Sequence, residues 1–206
     1  NHYMIANMLS VRRSLEHANE KRREMEKANE RLLEKSETDP LTRLANRFRL
    51  NDYLERAFER TRDDHRAFAV EILEIDYFKE YNDNYGHQAG DACIVAIADE
   101  LRKMQSSDTF CARYGGDEFI IIYEYKTEDE VFSMADSLRE RILDRRIEHV
   151  CSKALPVVTI SQGICFDVAP EGSRSWDFLH AADMMLYEVK KRSRNNISLG
   201  HLDAKE

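Results

Sequence analysis

Residues 109–125 read Thr109-Phe110-Cys111-Ala112-Arg113-Tyr114-Gly115-Gly116-Asp117-Glu118-Phe119-Ile120-Ile121-Ile122-Tyr123-Glu124-Tyr125. Two apolar runs, 109–114 and 118–125, flank Gly115-Gly116, a pair suited to a two-residue turn with positive φ. The stretch therefore predicts a β-hairpin. Upstream, residues 68–75 read as a strand ending in Glu74-Ile75-Asp76, preceded by a helix over 47–63. Helices over 77–85 and 91–104 follow that strand, separated by Gly86 and Gly90. Downstream come a helix over 128–149, a strand over 156–165 and a helix over 175–192. The order β-α-α-β-β-α-β predicts an α+β, ferredoxin-like sandwich: an antiparallel sheet, helices on one face, and the first strand beside the third. That adjacency brings Glu74 and Asp76 next to Asp117 and Glu118 at one sheet edge.

Residues 1–37 differ in character. They contain no Gly or Pro and are dense in Glu, Lys, Arg, Asn, Ala, Leu and Met, which predicts one long helix. Met4, Met8, Val11, Leu15, Ala18, Met25 and Leu32 recur at alternating steps of four and three, with Arg22 and Asn29 in the remaining seam positions. This is the pattern of a parallel coiled-coil homodimer. Thr38-Asp39-Pro40 breaks the helix, because the residue before proline avoids the helical region. The expected domains are thus a dimeric signalling helix over 1–37 and a globular domain over 38–206. The chain opens at Asn1 rather than Met, which reads as a fragment with an upstream sensor domain cut away.

Lys+Arg 31 against Asp+Glu 39 leaves a net charge of −8, which argues against a protein built to grip nucleic-acid phosphates or an anionic membrane. A phosphate-bearing substrate would need bridging cations. Mean hydropathy is −0.64, and no apolar run approaches the ~18 residues of a membrane span. Cys93, Cys111, Cys151 and Cys165 form no Cys-x-x-Cys pair, so neither a disulfide framework nor a zinc site is expected, and a cytoplasmic setting fits.

Acids crowded at a sheet edge repel one another unless they bind cations or stay partly protonated. Oxygen ligands of this kind suit Mg²⁺ or Mn²⁺. Two such ions could activate an attacking hydroxyl and neutralise a departing pyrophosphate, the logic of two-metal nucleotidyl transfer. Gly115-Gly116 would let a ligand come close to the backbone.

Arg113-Tyr114-Gly115-Gly116-Asp117-Glu118-Phe119 resembles the RYGGDEF motif of GGDEF-domain diguanylate cyclases, which condense two GTP into cyclic di-GMP with release of two pyrophosphates. Residues 39–47, DPLTRLANR, are similar to the family's DPLTGLxNR entry. Ile75-Asp76-Tyr77-Phe78-Lys79, Asn82-Asp83 and residues 86–91, GHQAGD, resemble its DIDxFKxxND…GHxxGD stretch. Thr159 to Gly163 resembles TxSxG, and Ala182-Asp183 through Tyr187 to Lys190 resembles ADxxxYxxK. The resemblance covers about residues 38–197 and implies the nucleotidyl-cyclase, palm-type version of the sandwich. It also implies metal ligation by Glu74, the Ile75 carbonyl and Asp117, with two Mg²⁺ or Mn²⁺ ions per active half-site. Asp117 and Glu118 become the catalytic acids, and the resemblance leaves open which carboxylate takes the ribose 3′-hydroxyl proton. It assigns phosphate contacts to the Phe78 and Lys79 N–H groups, Lys190 and Arg194, where basic side chains in a last helical turn also suit the dipole without any ligand. Asn82 and Asp91 match the guanine-reading pair, accepting from N1–H and the N2 amino group. Asp91 also suits a helix N-cap. Its retention favours GTP over ATP. His87 and Trp176 read as packing or turn residues.

Two departures stand out. The family's first metal-binding Asp is here Glu74, whose extra methylene matters because Mg²⁺ demands tight octahedral geometry. Product inhibition in the family depends on an RxxD motif before GGDEF. This chain has Gln105-Ser106-Ser107-Asp108, offset by a residue and without the guanidinium fork. The competing reading is a degenerate GGDEF module that binds GTP or a protein and relays a signal through its coiled coil.

Overall fold

The computed structural model describes residues 2–35 and 37–202, which divide into two compact units, 1–37 and 38–206. The first is one uninterrupted helix, α1 (His2–Lys35). The seam residues Met8, Val11, Leu15, Met25 and Leu32 are all exposed, so its apolar stripe is uncovered. Met4 lies outside the residues whose side chains are described. Arg22, a polar seam position, sits 3.6 Å from Glu26 one turn on.

In the second unit, α2 (Arg47–Asp63) starts where the Asn46 side chain accepts from the Arg49 N–H at 3.1 Å. It leads to β1 (Ala67–Ile75), α3 (Phe78–Tyr85), α4 (His87–Arg102) and the hairpin β2 (Thr109–Gly115) and β3 (Glu118–Glu124). Then come α5 (Glu128–Asp144), β4 (Ile160–Val168), α6 (Ser175–Arg192) and β5 (Ile197–Gly200). The sheet order is β2-β3-β1-β4-β5, with β1 antiparallel to both β3 and β4, so the first strand does lie beside the third.

Several expectations need correction. The sheet is mixed, because the short β5 runs parallel to β4. Helices cover both faces rather than one. Leu73, Phe119 and Ile121 pack against Ile97 and Leu101 of α4 and Leu138 of α5. Val70, Ile72 and Ile120 pack against Leu54 and Phe58 of α2 and Phe178 of α6. α5 stops at Asp144 rather than residue 149, with Arg146 at a left-handed φ of 48°. Residues 147–149 leave it to pair with 156–158, so β4 starts late, at Ile160. In the hairpin only Gly116 has positive φ, 49°; Gly115 ends β2 at a bulge. α4 begins at His87, which places Gly90 and Asp91 inside the helix, so Asp91 is not its N-cap.

Candidate active site

The antiparallel register of β1 and β3 pairs Glu74 with Glu118, and the Ile75 N–H donates to the Asp117 carbonyl at 3.3 Å. Three carboxylates therefore meet at the sheet's end. Burial, and next the Glu74 charge, push the Asp117 carboxyl above its ordinary range. Burial, then Glu74 and Asp117, do the same to Glu118. Lys190, from the last turn of α6, donates to both Glu74 oxygens at 2.6 and 2.7 Å.

Asp76 does not join this cluster. It is buried one residue past β1, accepting from the Thr159 hydroxyl at 2.7 Å, the Ser161 hydroxyl at 2.6 Å and the Asn195 N–H at 2.9 Å. Arg194 approaches Asp76 at 3.4 Å and lies 4.3 Å over the Tyr77 ring. It thus braces the turn between β1 and α3, whereas Lys190 sits among the acids.

That turn carries Phe78 and Lys79. Tyr77 precedes α3 in the left-handed region and offers no side-chain cap. The first helical bond runs from the Tyr81 N–H to the Tyr77 carbonyl. The Phe78 and Lys79 N–H groups are then left without intrahelical acceptors.

One turn further, Asn82 lies over α4. A Cβ built on Gly90 would fall 1.8 Å from the Asn82 amide oxygen and 3.3 Å from Phe78 Cζ, so only glycine leaves room there. The Asn82 oxygen is buried and has no hydrogen-bond partner. Asp91, the next residue of α4, is exposed.

The hairpin is held from outside. Arg113 donates to the Gly116 carbonyl at 2.8 Å and lies 3.3 Å from Asp39. Asp39 also accepts from the Thr42 N–H and hydroxyl. Burial pushes the Asp39 carboxyl up, but Thr42 and Arg113 outweigh it and hold it below its ordinary range. Trp176, expected to be packing, is 42% exposed and shares a cavity of about 330 Å³ with Glu118, Tyr114, His180 and Asp183. In the Gln105-Ser106-Ser107-Asp108 stretch, the Gln105 amide donates to the Cys111 carbonyl at 3.2 Å. Asp108 is engaged by Ser106 and Lys126.

Hard oxygen donors fit Mg²⁺ or Mn²⁺. Among the described residues, no three His, Cys, Asp or Glu side chains form a ready cation site. The expected set needs only Glu74, Asp117 and the Ile75 carbonyl, completed by nucleotide phosphates, as is usual for Mg²⁺. Sequence reasoning missed Tyr77 and His149. The latter is fully buried against the turn between β1 and α3, and a lone histidine at the end of an expected helix carries no spacing signal.

A mixed sheet with helices on both faces and three carboxylates gathered at the end of β1 and β3 is the arrangement of a palm-type domain. The family "Diguanylate cyclase, GGDEF domain" matches residues 36–196, and the chain belongs to it. Family members generally use divalent metal ions. The chain is 33% identical over 158 residues to the bifunctional diguanylate cyclase/cyclic di-GMP phosphodiesterase MucR of Pseudomonas aeruginosa, covering 76% of this chain and 22% of that protein. It is 34% identical over 167 residues to the diguanylate cyclase DgcP of the same organism, covering 81% and 24%. It thus spans about a quarter of the length of these relatives. A crystal structure of the coiled coil and GGDEF domain of DgcB from Caulobacter crescentus, in complex with c-di-GMP, superposes with a TM-score of 0.74 at 27% identity. The match covers 93% of this chain and all of that one. No helix among the described residues is long and apolar enough to cross a membrane.

Proposed function

We propose that this chain is a diguanylate cyclase that condenses two GTP, one held by each protomer of a homodimer, into cyclic di-GMP and two pyrophosphates. The observation that carries this reading is the gathering of Glu74, Asp117 and Glu118 at the end of β1 and β3, where burial and mutual repulsion raise the latter two. In each half-reaction the 3′-oxygen of one GTP bonds to the α-phosphorus of the other. The α–β bridging P–O bond breaks, its electron pair leaves with pyrophosphate, and the 3′-hydroxyl proton passes to a carboxylate. Glu118 is our candidate acceptor, since Asp117 is assigned to the metal and Glu118 is the remaining carboxylate of the cluster outside that set. Asn82 and Asp91 read the guanine edge. The Phe78 and Lys79 N–H groups hold the β- and γ-phosphates, and Arg194 is close by. Lys190 exchanges Glu74 for phosphate when nucleotide enters. Two Mg²⁺ or Mn²⁺ ions, held by Glu74, Asp117 and the Ile75 carbonyl, would supply charge neutralisation of the leaving group.

Residues 1–37 serve as the parallel coiled coil that brings two 38–206 domains together, a role supported by the uncovered seam on α1. The Glu74–Lys190 ion pair favours one competing reading, a nucleotide-binding relay in which that pair never opens. Incubation of the purified protein with GTP and either metal, followed by chromatography, separates the two. Cyclic di-GMP formation that is lost in Asp117→Ala and Glu118→Gln supports the cyclase. Tight GTP binding without product in either metal supports the relay.

A further inference from the structure

We propose that His149 is a positioning residue for the phosphate-binding turn: its Nε2–H holds the Tyr77 carbonyl and so aims the Phe78 and Lys79 N–H groups at the nucleotide's β- and γ-phosphates. This rests on the GTP reading above. His149 is completely buried, and its Nε2 lies 3.0 Å from the Tyr77 oxygen. A carbonyl only accepts, so the ring nitrogen facing it must carry the proton. The same carbonyl receives the Tyr81 N–H at 3.0 Å, so both of its lone pairs are used. Tyr77 needs such support. It sits at φ 55°, ψ 35°, a conformation that costs a non-glycine residue roughly 1–2 kcal/mol.

The ring also meets Tyr81 edge-on at 5.1 Å, which packing alone would explain. Packing does not explain why a nitrogen is buried without a partner at Nδ1. Phenylalanine would fill that space without leaving a polar atom unpaired. The loop bearing His149 is anchored independently of the nucleotide site. The His149 N–H donates to the Pro156 carbonyl at 3.0 Å and the Val158 N–H to the Ile147 carbonyl at 2.8 Å. It is tied to the far end of α3 as well, where the Val150 N–H donates to the Tyr85 hydroxyl at 3.1 Å. The loop therefore grips α3 at both ends, with His149 at the end that faces phosphate.

The test uses the full chain with Mg²⁺, titrated with α,β-methylene GTP, which cannot release pyrophosphate, and with GMP, which lacks the β- and γ-phosphates. His149→Phe keeps the ring against Tyr81 and removes the donor; His149→Met is the donor-free substitute should the first not fold. His149→Gln retains an N–H donor. A donor-free variant should weaken the methylene analogue about tenfold and GMP by less than about twofold, with His149→Gln recovering most of the loss. Equal losses for both ligands, no loss for either, or a glutamine variant as weak as the donor-free one would overturn the proposal and leave the GTP reading intact. A wild-type protein that binds no analogue would instead remove the GTP reading, and the proposal with it.

Discussion

Replacing Gly90 by alanine should disable guanine recognition without harming the fold, and the structure supplies the magnitude. The new Cβ would fall 1.8 Å from the Asn82 amide oxygen and 2.9 Å from its Cγ. An ordinary contact of about 3.4 Å requires that oxygen to retreat by roughly 1.6 Å. A displacement of that size breaks a hydrogen bond. The backbone itself has no objection, since Gly90 lies within α4 and alanine there gains about 1 kcal/mol of helix propensity. The Phe78 ring, 3.3 Å away, has to give by only a few tenths of an ångström. Loss of one or two bonds to guanine, at about 1 to 1.5 kcal/mol each, predicts a roughly 5- to 150-fold drop in affinity. Discrimination against the adenine analogue should narrow with it, because in the proposed contact Asn82 would accept from a donor that adenine does not present. Calorimetry with non-reacting GTP and ATP analogues, alongside thermal melting, measures all three quantities. A Gly90→Ala protein that melts like wild type and binds the GTP analogue equally well would refute the assignment of Asn82 to guanine.

Burial drives the Glu71 carboxyl from its ordinary 4.5 to about 7, against the Tyr123 and Gln162 donors. The folded state then holds the proton more tightly than the unfolded one. Stability should fall by about 3 kcal/mol as pH rises from below 4.5 through 7, and Glu71→Gln should abolish that slope in urea titrations at pH 5 to 8; parallel slopes would count against it. Glu74→Asp shortens the ligand and loosens its contacts with Lys190, so cyclase rate in Mg²⁺ should rise relative to Mn²⁺. An unchanged ratio would show that Glu74 does not bind the ion. On α1, a second frame through Ala18, Lys21, Met25, Ala28 and Leu32 takes Asn29 out of the seam and Ala28 into it, so Asn29→Leu and Ala28→Leu should favour different frames and move cyclase activity in opposite directions at matched dimer fraction; equal activities would leave the helix as a simple dimerisation device.

Much of the fold was readable because local chemistry determines it. The hairpin, the lone α1 and the break at Thr38-Asp39-Pro40 follow from alternation, helix propensity and turn residues. The carboxylate cluster was also within reach, since antiparallel pairing of β1 and β3 sets Glu74 against Glu118 whatever the surrounding packing. The layering was not. Residues 68–75 alternate only weakly, so the sequence does not say which face of the strand Glu71 occupies. It lies on the face of Ala69 and Leu73 beneath α5, where burial is complete and raises its carboxyl. β5 escaped notice because four residues carry little signal; the strand runs beside β4 once Asp76 has anchored the Asn195 N–H. The same anchoring takes Asp76 out of the acidic cluster and turns Arg194 towards Tyr77.

Sequence alone determined which residues of this protein could do chemistry, because motif spacing within one helix or strand dictates which side chains share a face. Only the tertiary structure decided which of them gather at the end of β1 and β3 and which brace the turn between β1 and α3. His149 reaches Tyr77, and Arg194 reaches Asp76 and Tyr77, each from more than 70 residues away in sequence, brought there by close packing of the whole domain.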